Sequence, residues 1–153
     1  MVAGPARVIA ADVLDVEDQR PHRDIRFASE VRVFVRGVDA LEPSQTCIVE
    51  EQRRWYCATA AEQALRAHLR NRLVTCRDLR TDEQDRTFGE CQVEGEEIAV
   101  WLVTNGWALA DPKTGGRLRD LEKKAKQNKI GIWKSRFDPP WKFREETPLL
   151  SGK

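Results

Sequence analysis

Hydrophobic and polar positions alternate most strictly between Val31 and Gly37. Val31, Val33 and Val35 fall on one side of an extended chain, and Arg32, Phe34 and Arg36 on the other. That period of two predicts a strand with one face in the core. Val8 to Val16, rich in β-branched residues, predicts another strand, followed by a polar turn or loop from Glu17 to Asp24 and a further strand starting near Ile25. The period then changes. Thr59-Ala-Ala-Glu62 reads as a capping box opening a helix that runs to about Arg72, with Ala61, Ala64, Leu65 and Leu69 facing inward. His68 lies beside that stripe and is expected as a surface or half-buried side chain rather than a ligand.

Leu73 to Val93 predicts a hairpin whose polar tip runs from Asp78 to Asp85. Glu96 to Thr104 returns to helical spacing and stops at Asn105-Gly106, before a short strand from Trp107 to Ala110. Gly116 to Asn128 is a charged helix with Leu118, Leu121 and Ala125 inward, closed by Gly131. From Phe137 onward the chain carries three Pro and no periodicity, so it is expected to be extended or disordered. The order is three strands, helix, hairpin, helix, short strand, helix. An α+β fold built on a five-stranded OB-type barrel with three helices accounts for it, because closure removes exposed strand edges.

A length of 153 residues suits one domain, taken here as residues 1–135 with a tail at 136–153. The longest purely apolar run, Ile98 to Val103, is far short of a membrane span, so a soluble monomer is expected. The formal charge of +1 hides an uneven distribution. Residues 1–110 hold 14 basic and 19 acidic side chains (−5), and residues 111–136 hold nine basic and three acidic (+6). An acidic body beside a basic segment suits a cation in one place and a phosphate in another.

The four cysteines, at 47, 57, 76 and 91, lack the Cys-x-x-Cys spacing of a structural zinc site. Pairing Cys76 with Cys91 centres the hairpin tip near Glu83 and Gln84, and Cys47 with Cys57 closes a polar loop, so these are the expected bridges. Such bonds require an oxidising compartment, but Met1 to Val13 contains no long apolar stretch. Two locations stay open: periplasmic or secreted if a leader has been removed, cytoplasmic with reduced thiols otherwise. Asp12 and Asp39, with Glu42 three residues further on, are carboxylates delivered from two separate strands, a donor set of the kind Ca²⁺ takes.

The stretches ARVIAADVLDV, VFVRGVDALEP, DEQDRTFGECQV, AVWLVTNGWALA and LEKKAKQNKIGIW occur in that order over residues 6–135. Together they resemble the staphylococcal-nuclease-like (thermonuclease) family, and QTC…WYC with the later cysteine pair resembles its cysteine-bearing bacterial members. The resemblance implies an OB-fold barrel with three helices that hydrolyses DNA and RNA phosphodiesters with Ca²⁺, single-stranded or denatured nucleic acid being the substrate. It implies Asp12, Asp39 and the Ala40 carbonyl as metal donors, Glu42 as the residue that positions or deprotonates the attacking water, and Arg86 as a phosphate clamp.

Three departures modify that expectation. Ala10 and Ala11 stand where the family has Asp and Gly, and Leu41 stands where Pro is usual. Phe34 occupies the place of the family's second phosphate-binding Arg, which implies reduced activity. Arg32 and Arg36, on the same side of the strand as Phe34, are the candidates to reach the phosphate instead. The alternative is a non-catalytic domain of this fold that binds single-stranded nucleic acid or a protein.

Overall fold

The computed structural model describes residues 1–19, 30–149 and 153. In chain order the strands are β1 (Val2–Gly4), β2 (Ala6–Ala10), β3 (Val13–Glu17), β4 (Glu30–Val35), β5 (Val38–Asp39), β6 (Cys47–Val49), β7 (Arg53–Trp55), β8 (Val74–Thr81), β9 (Thr87–Val93), β10 (Glu96–Glu97) and β11 (Leu109–Ala110). The α-helices are α1 (Cys57–Leu69), α2 (Ile98–Thr104), α3 (Arg119–Gln127) and α4 (Pro140–Glu146). Neighbours in the main sheet run β1-β8-β9-β4-β3-β2, and all its pairs are antiparallel except β4 with β9. A mixed sheet and, among the described residues, four α-helices make an α+β chain consistent with the nuclease-type OB fold.

The alternation in β4 is realised as expected. Val33 and Val35 are buried, and Phe34 stays half-exposed on the opposite side, its register partner on β9 being Phe88. Leu14, Val16, Leu65, Val74, Val93, Ile98 and Leu102 complete a core between the sheet, α1 and α2. The hairpin pairs Cys76 with Cys91, and both expected disulfides, Cys47–Cys57 and Cys76–Cys91, are formed. His68 stacks on Trp101 with ring centroids 4.0 Å apart and bonds Glu96 at 2.7 Å. Among the described residues no helix is long and apolar enough to cross a membrane.

Several expectations need correction. The strand expected from Val8 to Val16 is two strands, β2 and β3, turned at Ala11-Asp12, so Asp12 sits at a turn. The strand expected near Ile25 lies outside the described residues. Helix α1 begins at Cys57 behind Tyr56, with no side-chain cap, so Thr59 lies in its first turn and Glu62 pairs with Arg66 instead of closing a box. The hairpin strands extend to Thr81 and resume at Thr87, which shortens the tip to residues 82–86.

The largest difference is at the C-terminal end. Residues 140–146 form α4 where extended or disordered chain was expected, giving a fourth helix. Pro140 stands at the first turn, where a missing N–H costs nothing and the fixed φ suits a helix. The segment before α4 is tied to the body of the fold. Ile48 and Arg136 exchange two backbone hydrogen bonds of 2.9 Å, Gln45 Nε2 donates to the Asp138 carbonyl at 2.8 Å, and Trp133 packs on Phe137.

Candidate active site

Three carboxylates meet where the β2–β3 turn approaches β5 and the loop after it. The Asp12 backbone carbonyl accepts from Val35 N, and its side-chain Oδ2 accepts from Ala40 N, each at 2.9 Å. Asp39 is fixed by the pairing of β5 with β11. Glu42 is fully buried, held by a tight turn in which its N–H donates to Gln45 Oε1 at 2.9 Å and its carbonyl accepts from Gln45 N at 2.8 Å. Leu41, in the place where Pro is usual, points into a second apolar cluster with Cys47, Cys57, Leu109 and Ile132. The turn is therefore anchored by packing.

Two cations from the C-terminal segment enter this cluster. Lys153 Nζ donates to Asp12 Oδ2 at 2.9 Å, to Asp39 Oδ1 at 2.7 Å and to the Ala40 carbonyl at 2.6 Å. Arg144 spans Asp39 with both terminal nitrogens, at 3.0 and 2.6 Å, and reaches Glu42 Oε1 at 2.8 Å. Burial raises the Asp12 carboxyl above its ordinary value despite the ammonium beside it. Burial acts the same way on Asp39, but Arg144 and Lys153 outweigh it and hold that carboxyl below its ordinary value.

The expected metal donors, Asp12, Asp39 and the Ala40 carbonyl, are thus brought together around one positive charge. Asp12 Oδ1 is in addition buried without a hydrogen-bond partner among the described residues. Among the described residues no group of three or more His, Cys, Asp and Glu side chains is arranged to hold a metal. The donor set is two carboxylates and a carbonyl, all hard oxygens, which suits Ca²⁺ with water completing its shell. An ammonium held by these three oxygens and an unsatisfied carboxylate oxygen next to them indicate that the residues fit such a cation.

A cavity of about 670 Å³ opens over this cluster, and its lining includes Asp12, Phe34, Asp39, Glu42, Arg86, Phe88, Trp141 and Arg144. Arg86 is paired with Asp82 at 2.8 Å and lies 5.4 Å from the Phe88 ring centroid, so it reaches the cavity from the hairpin tip. Arg32 and Arg36, expected near the phosphate, are not in this lining. Arg32 is bound twice to Asp15, at 2.7 and 2.9 Å, and Arg36 bonds the Asp78 carboxylate and the Asp78 and Phe88 carbonyls. Both lie on the expected face of β4, but stronger local partners hold them elsewhere.

Sequence reasoning missed Arg144 and Lys153, since neither lies in a periodic segment. The one available signal was Pro140 as a helix-opening residue ahead of Trp141 and Phe143. A second cavity, about 650 Å³ and bordered by Arg7, Arg66, Arg70 and Arg72, shares no lining residue with the carboxylate site.

The chain is 28% identical over 137 residues to the succinoglycan biosynthesis protein ExoI of Rhizobium meliloti (strain 1021), a match covering 88% of this chain and 65% of that protein. It therefore spans less than two-thirds of that relative's length. Residues 32–135, about two-thirds of the chain, match the family described as staphylococcal nuclease homologue. The matched span contains Asp39, Ala40, Glu42, Arg86 and all four cysteines, and on that match the chain belongs to the staphylococcal nuclease homologue family.

Proposed function

We propose that the chain hydrolyses phosphodiester bonds of single-stranded or denatured DNA and of RNA, with Ca²⁺ as cofactor, in the cavity over Asp12, Asp39 and Glu42. The observation that carries this reading is the convergence of Asp12, Asp39 and the Ala40 carbonyl on one cationic position beside the buried Glu42 carboxylate. Those three oxygen donors would hold the cation, which when bound neutralises phosphate charge and lowers the pKa of water.

Glu42 accepts a proton from the attacking water. The water oxygen bonds to phosphorus, the ester P–O bond opposite breaks, and the departing oxygen takes a proton from solvent. Arg86 uses its Nε and one terminal nitrogen on Asp82, leaving further N–H donors for a non-bridging phosphate oxygen. With Phe34 packed on Phe88 at 5.4 Å, β4 contributes no guanidinium to the cavity. If Arg86 were the single guanidinium at the phosphate, the rate would fall by about 10²–10³. The two disulfides support an oxidising setting, periplasmic or secreted. The domain is read as a monomer.

Hydrolysis of denatured DNA and of RNA tests this, in Ca²⁺ and in EDTA, with wild type and Glu42→Gln. Cleavage dependent on Ca²⁺, reduced about 10²–10⁴-fold in Glu42→Gln, is expected. A wild type that cleaves equally in EDTA, or not at all, overturns the reading, as does a Glu42→Gln protein of full activity. A second reading, binding of single strands without hydrolysis, is favoured by one feature. Phe34, Phe88 and Trp141 line the cavity together and offer aromatic faces for bases. Oligonucleotide binding with no cleavage in Ca²⁺ would select it.

A further inference from the structure

A polyanion approaching three buried carboxylates needs cationic donors fixed in advance. Strand β4 supplies none, because Phe34 packs on Phe88 and its neighbours Arg32 and Arg36 are committed to Asp15 and to the 78–88 region. One guanidinium that no sequence pattern singles out does enter the cavity. Arg144, half-buried on α4, lines it together with Phe34 and Arg86.

We propose that Arg144 is the second phosphate-binding guanidinium of this site, delivered from the C-terminal helix in place of the arginine that β4 lacks. The inference rests on the phosphodiesterase reading above. Its first support is position, since Arg144 faces the same cavity as the position-34 side chain it would replace. Its second is fixed geometry. The three bonds to Asp39 and Glu42 hold the guanidinium plane in one orientation, and α4 follows a segment bonded through Arg136 to Ile48 of β6 and through Asp138 to Gln45 in the loop before it. A planar donor held this way loses little freedom when a phosphate arrives.

The third support is spare capacity. A guanidinium carries five N–H groups. Arg144 uses both hydrogens of one terminal nitrogen and one of the other, so Nε–H and one terminal N–H have no partner among the described residues. They are free for a non-bridging phosphate oxygen while the carboxylates remain paired. The carboxylate contacts are compatible with a bound cation as well, because each carboxylate oxygen has two lone pairs. Arg144 would touch the reacting phosphate and is therefore assigned a catalytic role, distinct from Lys153, which sits on the metal donors.

The opposite reading of the same contacts is a clamp, in which Arg144 blocks Asp39 and Glu42 and must leave before reaction. The sign of one substitution separates the two. Kinetics on denatured DNA in Ca²⁺ would compare wild type, Arg144→Ala, Arg144→Lys, Phe34→Arg and the Phe34→Arg/Arg144→Ala double variant, with melting temperatures recorded for each. Arg144→Ala is expected to lower kcat about 10²–10³-fold. Arg144→Lys, which keeps the charge but loses the fork, should recover only part of that loss.

Phe34→Arg should raise activity far more in the Arg144→Ala background than in the wild type, because the two positions would serve one phosphate. A purely structural role for Arg144 would not produce that rescue. Binding of oligothymidylate in EDTA, read by fluorescence anisotropy, judges Arg144 even where no cleavage occurs, and Arg144→Ala should weaken it about tenfold. Wild-type rates in Arg144→Ala, faster rates in it, or failure of Phe34→Arg to rescue a folded Arg144→Ala protein would each overturn the proposal. An inactive wild type whose oligothymidylate affinity still depends on Arg144 would defeat the phosphodiesterase reading and leave the phosphate contact standing.

Discussion

Removing the Cys47–Cys57 bond tests how the chain supports Glu42. Both sulfurs are fully buried, in a cluster with Leu41, Ala58, Leu109 and Ile132, and Leu41 is covalently next to Glu42. The loop between them is largely exposed from Glu50 to Arg54, and apart from the bond it is closed by the pairing of β6 with β7. For a separation of 10 residues, chain entropy gives about 2.7 kcal/mol, and for the 15 residues between Cys76 and Cys91 about 3 kcal/mol. Together they approach 6 kcal/mol, a large part of the roughly 5–15 kcal/mol that stabilises a domain. At about 2–4 °C per kcal/mol for a chain of this size, losing Cys47–Cys57 should lower the melting temperature by about 5–11 °C. Thermal melts of wild type, Cys47→Ala/Cys57→Ala and Cys76→Ala/Cys91→Ala would read this, alongside thiol titration of the denatured, unreduced protein. The first double variant should also lose more kcat than the second, because Cys47 and Cys57 pack with Leu41, the residue before Glu42, whereas Cys76–Cys91 crosses the β8–β9 hairpin. Double variants melting within the scatter of the wild type, or four titratable thiols in the untreated protein, would refute the reasoning.

Two further outcomes follow from local geometry. Gly131 has φ +61°, and a methyl group there would lie 2.4 Å from the Gly106 carbonyl oxygen, so Gly131→Ala should destabilise by about 2–4 kcal/mol in urea melts; a loss under about 1 kcal/mol would contradict the close approach. Hydrogen bonds from Arg32 hold the Asp15 carboxyl below its ordinary value of 3.8, so the ionised folded form is favoured and the pair stabilises above that value and fades as the pH falls through the lowered one. With Arg32 half-exposed, Arg32→Met should cost about 1 kcal/mol at pH 7 and progressively less in acid, and a gap that persists or widens in acid would contradict the assignment.

What could be read from the chain alone divides along physical lines. Period-two alternation in β4 and the apolar stripe of α1 report burial directly, and burial is what the structure realises at Val33, Val35, Ala61, Leu65 and Leu69. The hairpin bridge was readable because antiparallel register makes Cys76 and Cys91 opposite once the tip is placed. Asp12 was located but misplaced onto a strand. Valine-rich sequence on both sides masked the two-residue turn at Ala11-Asp12, where the chain reverses. Arg32 and Arg36 failed for another reason. A period of two places side chains on a face, but the partner each selects is set by neighbouring strands, and Asp15 across the β3–β4 register was nearer to Arg32 than any substrate site. Helix α4 lacked a signal of its own, for seven residues between a Pro pair and a polar end give periodicity little length to act on.

The charge distribution acquires a local meaning from these contacts. Summed over residues 137–153, three basic and three acidic side chains cancel, which suggests a segment with no electrostatic role. The cancellation is not realised in space. Arg144 and Lys153 turn inward to Asp12, Asp39 and Glu42, and Lys142 stays exposed beside Asp138 and Glu146. Three buried carboxylates without counter-charge would each carry a desolvation penalty of several kcal/mol, so the fold needs cations at this place whether or not substrate is present. Lys153 meets that need through the oxygens suited to a metal. Arg144 meets it at Asp39 and Glu42, lining the cavity with two N–H groups that have no partner among the described residues. A divalent cation replacing the ammonium would leave the Arg144 contacts in place and make the cluster less negative, which would ease the entry of a phosphodiester already drawn by Arg144.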